Sequence, residues 1–236
     1  MKQKQTFGNH VMVRLDKDHT SIKFKDGSDF YIDTSYEPDK HRSVIGEVVG
    51  LPSKLQYTGK PNIGMPWKTS MEVKIGDTVI LYYLAVANCF RPESPKAIVD
   101  GEDRSIFITY QNIYAVVRDG KVIPVNGYCL VEPIEDPVWA SLKKRMTDVG
   151  LVPFREEKKS MKDVVYGKVK YTGIPNEDYV DGHSDNGVDV KPGDIIVMKR
   201  ISDIPLEYDM HAKLDGGVKY WRVQRRYILG VYEESV

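Results

Sequence analysis

Val73-Lys74-Ile75-Gly76-Asp77-Thr78-Val79-Ile80 returns later in the chain as Val190-Lys191-Pro192-Gly193-Asp194-Ile195-Ile196-Val197. Glycine supplies a positive φ, aspartate accepts bonds from neighbouring backbone N–H groups, and the β-branched residues that follow suit a pleat. Each copy therefore predicts a turn feeding a strand. One such stretch is common, but here the flanking sequence recurs too. His10-Val11-Met12-Val13-Arg14-Leu15 matches Tyr128-Cys129-Leu130-Val131-Glu132-Pro133, Gly46-Glu47-Val48-Val49 matches Gly167-Lys168-Val169-Lys170, and residues 106–117 match residues 221–232. Four blocks in one order predict a tandem duplication of a small β unit, 1–118 and 123–236. Arg118-Asp119-Gly120-Lys121 is the turn between them.

At 236 residues the chain divides into two units of ordinary size, each long enough to bury a core. Lys and Arg number 34 against 34 Asp and Glu, so no global field recruits nucleic acid or an anionic membrane. Cys89 and Cys129 lie far apart with no metal-type spacing, and the first residues lack the apolar run of a signal peptide, which predicts a cytoplasmic, reducing location. No apolar stretch approaches the roughly 20 residues that span a bilayer.

Residues 1–8 read as a polar lead into a first strand, where Val11, Val13 and Leu15 alternate toward one face. Residues 22–32 alternate around Asp26-Gly27, a hairpin signature. Residues 52–72 hold Pro52, Gly59, Pro61, Gly64 and Pro66 and read as a loop, with Trp67 covering an exposed sheet edge. Residues 78–86 read as a strand covered on both faces, and 106–117 and 221–231 as closing strands. Asp136 and Pro137 predict a helix start, after which Val138, Leu142, Met146 and Val149 recur at helical spacing as far as Gly150, with the apolar side packed on protein. Arg155 to Lys162 is a charged tether. Residues 179–188 and 204–215 read as loops.

The block order resembles the GroES-type co-chaperonin family: opening strand, long loop, Gly-Glu-Val strand, second loop, Val-Lys-x-Gly-Asp strand and a closing Ile-x-Ala-Val strand. The residues that carry it are 11–15, 46–49, 73–80 and 100–117, repeated more loosely at 129–134, 167–169, 190–197 and 221–231. The resemblance implies an all-β protein of two tandem GroES-like barrels, with the helical insertion 136–150 in the second unit. It implies a partner, the 60 kDa-type chaperonin ring, which the chain caps or contacts to assist protein folding. The apolar tripeptide of the family's mobile loop corresponds to Phe30, Tyr31 and Ile32, implied as the chaperonin-binding residues. Units of the family associate side by side through opening and closing strands, which implies a homo-oligomer with Val11, Val13, Ile113, Val116, Ile228 and Val231 at subunit contacts.

No HExxH, GxSxG, P-loop or GxGxxG occurs, and the five histidines, His10, His19, His41, His183 and His211, share no ligand spacing, so no catalysis, cofactor or metal is expected. Asp178, Asp181, Asp185 and Asp189 near His183 lack the EF-hand pattern and read as turn chemistry. Arg222, Arg225 and Arg226 with Tyr220, Trp221 and Tyr227 form a basic, aromatic cluster that strand alternation splits between two faces, against nucleic-acid binding. The competing class is a structural protein of a particle or other assembly that keeps the fold without the chaperonin. A carbohydrate- or nucleotide-binding barrel is a weaker third, disfavoured by the missing polar constellation.

Overall fold

In the computed structural model the two Lys-x-Gly-Asp turns fold alike. Lys74 N–H donates to Asp77 Oδ2 at 2.7 Å, Gly76 takes a φ of 86° and its N–H donates to Val48 O at 2.9 Å. Lys191 N–H donates to Asp194 Oδ2 at 2.7 Å, Gly193 takes a φ of 102° and its N–H donates to Val169 O at 2.7 Å. A side chain at either glycine would sit in the left-handed region that L residues rarely adopt, so the repeated Gly-Asp pair is a geometric requirement.

The structure describes residues 4–17, 21–23, 26–31, 33, 41–57, 65–93, 96–101, 103–153, 164–179, 182, 184–185, 189–200, 204–206, 214–215 and 218–233. The first half contributes β1 (Lys4–Thr6), β2 (His10–Leu15), β3 (Ser21–Lys23), β4 (Asp29–Tyr31), β5 (Ile45–Pro52), β6 (Thr78–Leu81), α1 (Tyr83–Cys89), β7 (Ala97–Asp100), β8 (Asp103–Thr109) and β9 (Ile113–Arg118). The second contributes β10 (Lys121–Pro124), β11 (Tyr128–Ile134), α2 (Pro137–Asp148), β12 (Val164–Thr172), β13 (Ile195–Lys199), β14 (Ile204–Pro205), β15 (Trp221–Gln224) and β16 (Ile228–Tyr232).

The first sheet runs β7-β8-β2-β5-β6-β9-β10, and the second runs β14-β15-β11-β12-β13-β16. Strand for strand these are the same path, antiparallel at every step, with β10 added at the end of the first. The irregularities repeat as well. The β2·β5 ladder slips at Met12/Val13 and the β11·β12 ladder at Leu130/Val131; β6·β9 slips at Ile80/Leu81 and β13·β16 at Val197/Met198. Conserving a bulge in both copies keeps the same bend in both sheets.

Gly46 and Gly167 open the matching strands for a shared reason. A Cβ on Gly46 would stand 2.4 Å from Arg14 O, and one on Gly167 would stand 2.2 Å from a Val131 methyl, so β2 and β11 each pass too close for any side chain.

Among the described residues the protein is mostly β, with two large antiparallel sheets, a separate two-stranded one and two α-helices. Neither path of pairings returns to its first strand, so both sheets are open. The sole parallel pairing among the described strands joins β1 to the end of β5. Three expected strands are broken. Residues 78–86 change from β6 to α1 after Leu81, because a continuous apolar run suits a buried strand and a buried helix equally; helical spacing turns Val86, Ala87 and Cys89 inward. The closing blocks each divide at a 3₁₀ turn, Tyr110–Asn112 and Arg225–Tyr227, giving β8 with β9 and β15 with β16.

Three apolar clusters hold these layers. One is the first unit's core around Val13, Val48, Val79 and Ile108, and another the second unit's core around Val131, Val169, Ile196 and Val223. The third joins the units: Ile45, Ile80, Tyr114 and Ala115 pack against Tyr128, Leu130, Leu214 and Tyr220. The expected helix is present at Pro137–Asp148, capped by Asp136 Oδ1, which accepts from Val138 and Trp139 N–H. Its expected packing is only partial, with Trp139 and Met146 half-buried. The helix buries none of its residues, and Leu142 is 40 % exposed.

Candidate docking hairpin and the joint between the units

Between β2 and β5 the chain leaves the first core to form β3 and β4, a two-stranded sheet of its own. Asp26 fixes the turn by accepting from Ser28 N–H at 2.9 Å and Ser28 O–H at 2.6 Å, while Gly27 takes a φ of 85°. Consecutive strand residues face opposite ways. Phe30 is 57 % exposed and Tyr31 76 %, so β4 presents an aromatic ring largely to solvent on each of its faces. Ile32 lies outside the described residues. Large apolar side chains held on both faces of a small hairpin are what a docking element presents, and they are costly to leave in water.

The matching position of the second unit, between β11 and β12, is occupied by α2, where Val138 and Leu142 are exposed. The two insertions differ in secondary structure but share the property of carrying apolar residues off the cores.

The expected subunit-contact residues fall elsewhere. Val11, Val13, Ile113 and Val116 are fully buried in the first unit's own core, and Ile228 is buried in the second. β2 pairs with β5 and β8, and β9 with β6 and β10, so neither is an edge. Val231 alone of the six is exposed, at 43 %, on the edge strand β16. The physical reason is that the blocks with strongest apolar alternation are the ones a unit buries for itself.

Residues 119–127, read from sequence only as a boundary, build the joint. Asp119 and Gly120 both take positive φ, 50° and 73°, in a two-residue hairpin turn that lays β10 antiparallel on β9. Val125, beyond β10, is fully buried in the first unit's core, and its N–H donates to Tyr114 O at 2.9 Å. Asn126, at a φ of 57°, donates through Nδ2 to Tyr110 O at 2.8 Å and Ile113 O at 3.0 Å, and its own carbonyl accepts from Asn176 Nδ2 at 2.7 Å. Trp67 is buried against Tyr179 of the second unit, ring centroids 5.5 Å apart, rather than covering an edge.

Charge is placed at the same joint. Glu72 accepts from Asn126 N–H at 2.9 Å and Tyr110 O–H at 3.2 Å; burial pushes its carboxyl above the ordinary range against those bonds and the nearby Arg225. Asp77 is shifted the other way. Burial raises it, but Arg118, donating to both oxygens at 2.8 and 2.6 Å, and the Lys74 N–H outweigh that and hold the carboxyl below 3.8.

A cleft of about 500 Å³ beside α1 is lined by Cys89, Arg91, Lys96 and Phe107 among others. Burial raises the Cys89 thiol, which makes it a poor nucleophile. Among the described residues no group of three or more His, Cys, Asp or Glu is placed to hold a metal ion, and no helix is long and apolar enough to cross a membrane. No protein-family model matches the chain, and no curated protein matches it.

Proposed function

We propose that this chain is a co-chaperonin-like protein of two tandem GroES-like units that caps or contacts a 60 kDa-type chaperonin ring to assist protein folding, without catalysis of its own. The observation that carries the reading is the β3–β4 hairpin, which stands in a separate sheet and exposes Phe30 and Tyr31. The repeated strand order and the resemblance of the repeated blocks to co-chaperonins support it.

A preformed hairpin lowers the ordering cost that a flexible docking loop incurs on binding. A few buried aromatic anchors dominate most interfaces, and several copies presented to one ring multiply a weak single contact. Phe30 and Tyr31 are the anchors, and Asp29 and Asp33 remain at the rim.

Co-sedimentation with a host chaperonin, with and without nucleotide, tests the proposal. The parent binds, and a Phe30→Ser, Tyr31→Ser variant of unchanged thermal stability does not. A parent that never binds overturns the chaperonin reading and leaves the structural-assembly alternative, which the exposed helix α2 in place of a second hairpin favours.

A further inference from the structure

The first unit carries a helix, α1, for which the second has no counterpart among the described residues. Residues 82–96 separate β6 from β7 and contain it, whereas residues 200–203 alone separate β13 from β14. The second unit follows the same six-strand path without this addition, so the fold does not require it. The helix turns Val86, Ala87 and Cys89 inward, and the Cys89 thiol donates to Ala85 O at 3.1 Å and faces Phe107 O at 3.6 Å, which fastens α1 beside β8. Between the two lies the cleft of about 500 Å³, with Ala85, Cys89, Phe107 and Ile108 in its lining. The chain that leaves α1 returns as its rim. Lys96 N–H donates to Cys89 O at 2.8 Å and Lys96 O accepts from Phe107 N–H at 2.8 Å, so the rim is held from both sides.

Charge is placed around the opening. Arg91, Glu93 and Lys96 line it and are exposed. Among the described residues none of the three makes an ion pair. Burial raises the Cys89 thiol and the Lys96 charge opposes that rise, so the ammonium lies within electrostatic reach of the floor. Two cations against one carboxylate leave a single net positive charge. An apolar floor with a few polar groups gathered at its edge is the usual form of a small-molecule site, and the volume falls in the usual range.

We propose that this cleft binds a small monocarboxylic acid with an apolar body, the body against Ala85, Phe107 and Ile108 and the carboxylate at Arg91 and Lys96. The charge balance selects the class. A phosphate ester carries about −1.5 to −2 at neutral pH, more than the lining offsets, and brings the excess against Glu93. A neutral alcohol of the same shape leaves both cations without a partner, whereas a carboxylate accepts two parallel N–H bonds from a guanidinium. The inference goes beyond chaperonin binding and does not depend on it.

Octanoate, kept below its micellar concentration, is the probe, titrated into the isotope-labelled full chain and followed by amide NMR shifts, with octanol and inorganic phosphate as comparisons. Octanoate gives saturable binding at one site, with the largest shifts in α1, residues 91–93 and β8, and octanol and phosphate bind more weakly by about tenfold or more. Arg91→Gln with Lys96→Gln changes exposed side chains, leaves the melting unchanged and weakens octanoate by about tenfold while octanol binds as in the parent. Asn88→Trp, at an exposed position of α1 that lines the cleft, fills the space and removes binding of both. No saturable octanoate binding, shifts centred on Phe30, Tyr31 or α2, octanol or phosphate bound as tightly as octanoate, or an octanoate affinity unmoved by the double glutamine variant would overturn the inference.

Discussion

The two units share a path of six strands and two bulges, but differ at the closing strand. β9 is walled in by β10 and the second unit, whereas among the described strands only β13 pairs with β16. The same contrast reaches single residues. Asp77 in the first turn is bound by Arg118, whereas the residue at Arg118's position in the second unit is Glu233, and the Asp194 carboxylate accepts only from the backbone of its own turn among the contacts described. A duplicated unit keeps the contacts it makes with itself. The contacts it makes with a neighbour persist only where a neighbour is present.

The largest expected effects test the part the copies share. Gly46→Ala places a methyl against backbone oxygen of β2, while Gly167→Ala meets first a valine methyl that can rotate. Chemical denaturation should show a loss of about 3 kcal/mol for the first and less for the second. Equal small losses would mean that the two strand crossings are looser than their geometry.

Next come the aspartates, where the copies differ. Asp77→Asn removes a nearly buried partner of Arg118 and should cost about 2 to 3 kcal/mol, against about 1 kcal/mol for Asp194→Asn. The pH dependence has a definite sign. A carboxylate depressed in the folded state stabilises the protein above its unfolded value of 3.8, and that contribution is lost as pH falls through the lower folded value. Unfolding midpoints between pH 5 and 2 should therefore fall less steeply in Asp77→Asn than in the parent.

The smallest effects belong to the insertions. Phe30→Ser with Tyr31→Ser, and Leu142→Ala in α2, alter side chains exposed to solvent and should each move stability by no more than about 0.5 kcal/mol. Ile196→Ala in the second core should cost about 2 to 5 kcal/mol in the same assay. A large loss for Leu142→Ala would place the helix on a core after all.

The repeat was legible because its signals are local. Gly-Asp turns, the obligatory Gly46 and Gly167 and the alternating Val11-Val13-Leu15 all write a backbone requirement directly into residue type. Asp136-Pro137 marked the start of α2 for the same reason. What the sequence concealed was decided by packing over distance. Tyr82-Tyr83-Leu84-Ala85-Val86 has no breaker and no clean period, so nothing local announces the change from β6 to α1. Tyr110-Gln111-Asn112 turns the chain without glycine or proline, and Leu142 and Met146 repeat at helical spacing although Leu142 stays exposed and Met146 is only half-buried. The site was half legible. Asp26-Gly27 gave the hairpin, but Lys4-Gln5-Thr6 looked like a polar lead and instead pairs along the end of β5 as β1.

Whether this tandem chain presents its hairpin to a chaperonin is decided by single-particle imaging of the two proteins mixed with nucleotide. The proposed function predicts density for several copies of the chain over the mouth of the chaperonin ring, with the β3–β4 hairpins at the contact. Chaperonin rings bare at both ends, with the chain found only apart from them at saturating concentration, would contradict it.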